Sequence, residues 1–420
     1  MIFAFLISFL SFFKINLVGE LYVTEIILLS YLLFSSRKSD FLSEPIPKKI
    51  IQLGVLWLLS QIVTDLIRGT PSANYLRGWA AIVFFLADFC ALYITVRLKP
   101  EVLKVLIAGS ALGAIFSVIV LPTEYSEVEP WKFGYGIPVT TLVFLYLSAE
   151  SRFNKKSSYL LLVALGVLSI YLNSRSLGGM TILVATVLYF SQTHYFKNYA
   201  LSNNKINYPI VLTVIFVPIC IILSTYQLAA ESGLLPEKVY EKYQTSKSSK
   251  FGLPGLIVGG RVEILISSQA VMDSPIIGHG SWAENRKYAD MLYFVSDQLG
   301  LEVNEAAIEY GAELSDLIPT HSVIMQAWVW AGVLGAVFWL YILKFIAKNT
   351  LITIISTVPL KPIIVFIGIS SVWNLLFSPF GATARFSWAI GLVLLSIGNL
   401  VSDNTRDQVA NDDISLPVKN

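Results

Sequence analysis

The sequence predicts an all-α, polytopic membrane protein with about twelve transmembrane helices and one large, partly helical loop on the outer face. Three observations carry that prediction. Hydrophobic residues fill 55% of the 420 positions and charged residues only 14%; with a mean hydropathy of +0.67, the chain is too apolar for a soluble globule of this length. The apolar residues gather into runs long enough to cross roughly 30 Å of hydrocarbon as helices, the economical way for one segment to satisfy its own backbone there. Lysine and arginine recur on alternate connections between those runs, as they do on the cytoplasmic side of membrane proteins.

In order, the predicted spans cover 2–17, 20–35, 50–65, 79–97, 102–121, 137–150, 158–173, 177–193, 209–227, 322–346, 355–376 and 386–401. The first run, MIFAFLISFLSFF, has no basic stretch before it and no small-residue cleavage site after it, so it reads as a retained span. With the N-terminus inside, the inner connections carry Arg37, Lys38, Lys48 and Lys49, then Arg97, Lys99 and Lys104, then Arg152, Lys155 and Lys156, then Lys197 and Lys205, and finally Lys344, Lys348 and Lys361. The outer connections are short and poor in bases, apart from one hydrophilic segment. The expected division is a membrane part over 1–226, a large periplasmic loop over 227–321, a second membrane part over 322–401 and a polar, disordered tail over 402–420.

The large loop has its own texture. VYEKYQTSKSSK reads as a mobile tip. RVEILISSQAVMD follows a Gly-Gly breaker and reads as a helix along the membrane surface. A helix pair is expected in SWAENRKYADMLYFVSDQLG and EVNEAAIEYGAELSDL. Pro319 and Thr320 lead into span ten, with Thr320 or Ser322 as its cap. The two cysteines, Cys90 and Cys220, fall inside apolar runs and indicate no disulfide framework. The nine tryptophans are expected mainly at lipid-facing and interfacial positions. A net charge of +2 with scattered bases sets nucleic acid aside.

Between about 259 and 335 a hydrophobic chain turns wet and charged. Ser174 and Arg175, Gly260 and Arg261, the PIIGHG run ending at Gly280, and His321 and Ser322 followed by GVLG make a pattern that resembles the O-antigen ligase and O-antigen polymerase superfamily. Motifs support this over roughly 170–345, and topology over the rest. Ser322 stands where asparagine is common, and His279 sits inside the glycine motif. The resemblance implies a GT-C-like architecture in the bacterial inner membrane and transfer of a glycan on its periplasmic face. It implies as partners a polyprenyl-diphosphate-linked oligosaccharide, a glycan or lipid A core acceptor, membrane lipid and a chain-length regulator. It implies no cofactor.

The chemistry asks for the same residue types. An acceptor hydroxyl attacks the anomeric carbon while negative charge builds on the departing diphosphate. Arginine suits the diphosphate because its planar fork binds phosphate oxygens in pairs and stays charged when partly buried; Arg175 and Arg261 are the candidates. No Asp-X-Asp pair stands on an outer loop, so guanidinium rather than a divalent metal is expected to neutralise the diphosphate. His321, just inside the start of span ten, is the candidate base, because a helix N-terminus disfavours imidazolium. Gly332 and Gly335 are read as close-packing positions on that helix. His279, Gly280, Ser322 and Arg286 complete the expected substrate-binding set, and Glu263 is placed to orient Arg261.

Each residue has a plainer role. A lone interfacial arginine usually snorkels, which is the expected role of Arg68, Arg77 and Arg385. A lone histidine at a helix start is usually a satisfied surface residue, and His194 lies on the inner side. Three functions stay open: a polymerase joining lipid-linked repeats, favoured because such chains serve many surface glycans; a ligase moving finished glycan to lipid A core; and a transporter or flippase. Asp88 is the single acid deep in a span, thin support for an ion path.

Overall fold

The computed structural model describes residues 1–16, 19–35, 44–99, 101–148, 156–193, 196, 201–202, 205–248, 261–298, 316–356, 358 and 360–397. Several expectations lie outside those residues: the basic positions 37, 38, 152, 155 and 197, His194, Gly260, the helix expected over EVNEAAIEYGAELSDL, and the tail over 402–420.

The described chain is mostly helical, with two short strand pairs. Its membrane-type helices begin with α1 (Ile2–Phe9) and α2 (Val23–Phe34), then α3 (Pro45–Arg68), α4 (Ser72–Leu98) and α5 (Val102–Val120). A short α6 (Glu124–Val128) and a single π turn over Trp131–Tyr135 lead to α7 (Gly136–Leu147). Then come α8 (Lys156–Tyr171), α9 (Arg175–Gln192) and α10 (Tyr208–Glu231). The hydrophilic segment supplies α11 (Glu237–Ser248), α12 (Glu263–Asp273) and α13 (Arg286–Gln298). The chain closes with α14 (Val323–Ala331), α15 (Val333–Ile355), α16 (Lys361–Phe377) and α17 (Ala382–Ile397).

Five of these, α3, α4, α5, α10 and α15, are long and apolar enough to cross a membrane by length and composition. Their outer faces leave large side chains uncovered: Leu66 is 70% exposed on α3 and Phe216 63% on α10. Contiguous apolar surface of that kind on several long helices is what lipid would cover.

Hydrogen bonds and ion pairs tie the ends of these helices together in two groups. In one, Arg97 pairs with Glu44 at 2.7 Å, and the Ile363 N–H donates to Ser148 Oγ at 3.2 Å. In the other, Arg385 pairs with Glu25 at 2.5 Å and donates to the Glu20 carbonyl at 2.7 Å, Ser322 Oγ donates to the Leu375 carbonyl at 2.9 Å, and the Phe380 N–H donates to Gln326 Oε1 at 2.6 Å. Arg385 is thus a buried ion-pair partner rather than a snorkelling anchor.

The structure departs from the sequence reading in several places. The first span is shorter than 2–17, because α1 gives way to a 3-10 turn and an antiparallel hairpin of β1 (Lys14–Asn16) and β2 (Glu20–Tyr22), with Lys14 opposite Tyr22 and paired to Glu20. VYEKYQTSKSSK is not a tip: residues 237–248 form α11, pinned by Val239 and Tyr243, each 1% exposed and one helical turn apart. Several tryptophans are core rather than interfacial. Trp57 stacks on Phe338 at 5.0 Å and meets Trp339 edge-on at 5.5 Å, and Trp388 meets Trp339 at 5.3 Å, all buried. Span ten is two helices, α14 and α15, broken at Gly332.

The break has a local cause and a distant one. Gly332 sits at φ 69° and ψ −161°, a region only glycine occupies without strain, so its role is to stop a helix and not to pack one. A Cβ there would overlap the Ile276 carbonyl oxygen. That oxygen belongs to the PIIGHG run, which lies in the break and accepts from the Val333 N–H at 3.2 Å. The described part of the hydrophilic segment also shares a small core with α14, in which Ile266, Ala270, Val271, Tyr288 and Ile318 pack with Val329, joining α12 and α13 to the strand-like residues before His321.

Candidate functional site

Two arrangements form at the two ends of α14, a clamp where the helix stops and a charge cluster just before it starts. The clamp holds the PIIGHGS run. His279 N–H donates to the Val329 carbonyl at 2.6 Å and Gly280 N–H to the Trp330 carbonyl at 3.1 Å, so the run borrows the carbonyls that the helix break frees. From the other side, α3 reaches in with its last two turns. Asp65, 2% exposed, accepts from the Ser281 N–H at 2.6 Å, from Ser281 Oγ at 2.8 Å and from Trp79 Nε1 at 2.8 Å. Gln61 Nε2 donates to Ser281 Oγ at 2.8 Å, and Arg68 donates to the Gly278 carbonyl at 2.9 Å and to Ser274 Oγ at 2.6 Å. Gly280, at φ 99°, has no room for a Cβ: Thr70 Oγ1 would stand 2.5 Å from it. Arg68 therefore binds loop backbone rather than snorkelling.

His279 belongs to this clamp. Its Nε2 donates to the Ala270 carbonyl at 2.7 Å and its ring meets Tyr288 edge-on at 5.6 Å. Burial holds its pKa below the ordinary histidine value, the Ala270 hydrogen bond opposing and the Arg68 charge adding to the shift.

The cluster gathers residues far apart in the chain. Arg175 is the first residue of α9, and its Nη1 donates to the Tyr226 hydroxyl near the end of α10 at 3.4 Å. Arg261 and Glu263 flank the start of α12, where a first-turn carboxylate faces the positive helix end. Glu263 Oε1 lies 3.9 Å from His321 Nδ1, with 30% and 35% of the two side chains exposed. Arg261 is close enough to both neighbours to feel them: burial lowers its pKa, Glu263 opposes the shift, and the charge of Arg175 adds to it. The His321 imidazole is held below its usual pKa by burial and by Arg261, against the pull of Glu263. The neutral imidazole expected from the sequence is thus favoured, for another reason. Ser322 is the N-cap and α14 begins at Val323, so His321 lies outside the helix.

Of the expected site residues, His321 stands beside Glu263, Arg261 is near enough to act on His321 electrostatically, and Arg175 near enough to act on Arg261. Gly280 and His279 lie in the clamp. Ser322, 3% exposed, spends its hydroxyl on the Leu375 carbonyl and on capping α14 through the Met325 N–H at 3.4 Å. Arg286 has 79% of its side chain exposed and faces Asp290 on its own helix at 3.8 Å. Sequence reasoning missed Tyr226 and Asp65. Nothing marks Tyr226 among twenty tyrosines; Asp65 carried a signal, an acid at the end of an apolar run, which is costly unless bonded. Among the described residues no group of three or more His, Cys, Asp or Glu side chains could hold a metal ion.

Chemically, the cluster offers two guanidinium groups for an anion and a neutral imidazole beside a carboxylate for a proton. Set against protein-family models and against curated proteins, the chain matches none.

Proposed function

We propose that this chain is a glycosyltransferase of the bacterial inner membrane that crosses it about twelve times and polymerises polyprenyl-diphosphate-linked repeats of a surface polysaccharide on the periplasmic face. The observation that carries this is the approach of Arg175 to Arg261, and of Arg261 and Glu263 to His321, just before α14 starts in an apolar helix bundle. Arg175 and Arg261 bind the diphosphate and stabilise the charge that builds on it as the glycosidic bond breaks. His321 takes the proton of the attacking acceptor hydroxyl, and Glu263 steadies the imidazolium that results. The clamp holds the chain that leaves the far end of α12, and so supports the helix whose start carries Arg261 and Glu263 toward His321.

The test is transfer by purified protein in detergent with lipid-linked donor and acceptor, where no gradient exists. Wild type should lengthen the glycan. A wild type that transfers nothing under any condition, yet moves a solute or lipid across liposomes, would replace the enzyme by a transporter. In cells, deletion should leave a single repeat on the core; free long chains left on the carrier would make the chain a ligase instead.

A further inference from the structure

Next to the charge cluster lies an open cleft of about 360 Å³, within the range of roughly 300–1,000 Å³ found for small-molecule sites. Three separate stretches wall it: 128–131 leading into the π turn at Trp131, 171–173 at the end of α8, and 236–239 at the start of α11. Trp131 and Tyr171 line it, together with the polar residues Glu129, Asn173, Glu237 and Lys238. Tyr171 is 57% exposed, so its ring is open to whatever enters. The indole N–H of Trp131 donates to Ser169 Oγ at 3.2 Å, which fixes that ring in place.

Asn173 is the pivot. It ends α8 at φ 61°, a left-handed conformation that asparagine tolerates better than most residues, and the Ser174 N–H closes the turn on the Ser169 carbonyl at 2.8 Å. Its amide nitrogen donates to the Glu129 carboxylate. Its amide oxygen is buried and receives no hydrogen bond among the described residues. That oxygen is closed off from the cleft as it is from water, so Asn173 shapes the wall through its turn and its bond to Glu129. The cleft is also tied to the cluster twice. Arg175 follows Asn173 by two residues, and α11 is anchored by Tyr243, whose ring meets Tyr226 at 6.0 Å while Tyr226 accepts from Arg175.

Rings beside carboxylates match the surface of a sugar, which carries an apolar C–H face and a rim of hydroxyl donors and acceptors. Charge does not favour an anion, since Lys132 pairs with Glu129 at 3.0 Å and Lys238 stands beside Glu237. We propose that this cleft binds an uncharged sugar of the substrate glycan, with Tyr171 and Trp131 against its C–H face and Glu129 and Glu237 on its hydroxyls. The assignment to substrate glycan rests on the glycosyltransferase proposed above.

The test uses the purified full chain and saturation-transfer NMR. The probes are neutral hexose and N-acetylhexosamine disaccharides and the repeat oligosaccharide released by mild acid from the host strain's lipid-linked donor. At least one probe should bind saturably, and Tyr171→Ala and Glu237→Gln, both at exposed positions, should each weaken it at least tenfold with an unchanged melting curve. No saturable binding by wild type, or equal binding by wild type and both variants, overturns the cleft. Transfer is measured in parallel. Transfer with an unchanged acceptor KM and unchanged probe binding in both variants keeps the enzyme and removes the cleft. Sugar binding that both variants lose, with no transfer by wild type, removes the enzyme and keeps the cleft as a sugar site.

Discussion

The clamp and the charge cluster lie at the two ends of α14, each holds a histidine and an arginine, and they are built in opposite ways. In the clamp the polar atoms are spent on the protein itself: His279 on the Ala270 carbonyl, Arg68 on Gly278 and Ser274, Asp65 on Ser281 and Trp79. In the cluster, His321 and Glu263 stand 3.9 Å apart, a third of each side chain is open, and two arginines share the space. Saturated hydrogen bonding marks the clamp as structural, whereas titratable and charged groups gathered where a third of the side chain stays open mark the cluster as the candidate site.

The sharpest way to break the comparison is to remove each histidine. His321→Ala should cut transfer on the order of 10²- to 10⁴-fold with an unchanged melting temperature. His279→Ala should instead cost about 1–3 kcal/mol of stability and leave the rate per folded molecule near wild type. Thermal melts and single-turnover transfer on the same preparations decide it; exchanged phenotypes would reverse the two roles.

Next in size come the arginines. Arg261→Lys keeps the charge and loses the fork, so transfer should fall roughly 10- to 150-fold, the loss of one charge-assisted hydrogen bond of about 1.5–3 kcal/mol. Arg68→Lys should show its loss in stability. A wild-type rate in Arg261→Lys would leave that residue an anchor.

Acid separates the two sites further. His321 must be neutral to act, and its pKa lies below the ordinary histidine value, so the rate should be level at neutral pH and fall only below about 6.5. Glu263→Gln removes the carboxylate that pulls that pKa up, so the acid limb of kcat/KM should move to lower pH; a limb that moves upward or stays put would uncouple the pair. His279 contributes oppositely, to stability: its folded pKa is depressed, so the unfolded chain takes up the proton first. Stability should drain away as pH falls from about 6.5 toward the folded pKa, and His279→Gln should flatten that slope.

The smallest effect is a label. With Cys220, which is exposed, replaced by alanine, a cysteine at exposed Ser232 should react with an impermeant thiol reagent from the periplasmic side, and one at exposed Lys49 should not. Labelling at Lys49 in sealed cells would turn both sites to the cytoplasm. Ser281, also outer by sequence, is no use as a probe because it is fully buried under Asp65.

The sequence by itself determined the all-α apolar class, most helix positions, a cap at either Thr320 or Ser322 and the identity of Arg175, Arg261 and His321 as residues to follow. These follow from composition, from periodicity and from motifs, which are local and survive without a partner. Only the tertiary structure decided that Arg175 acts on Arg261 and Arg261 on His321, that Glu263 joins them, and that His279 and Gly280 belong to a clamp. It alone decided that span ten breaks at Gly332, that Trp57 and Trp339 are core, and that Asp65 holds Ser281 across 216 positions of chain. A buried carboxylate is tolerated only where donors converge on it, and the α3 sequence carries no record of donors supplied by α4 and by a loop that follows α12.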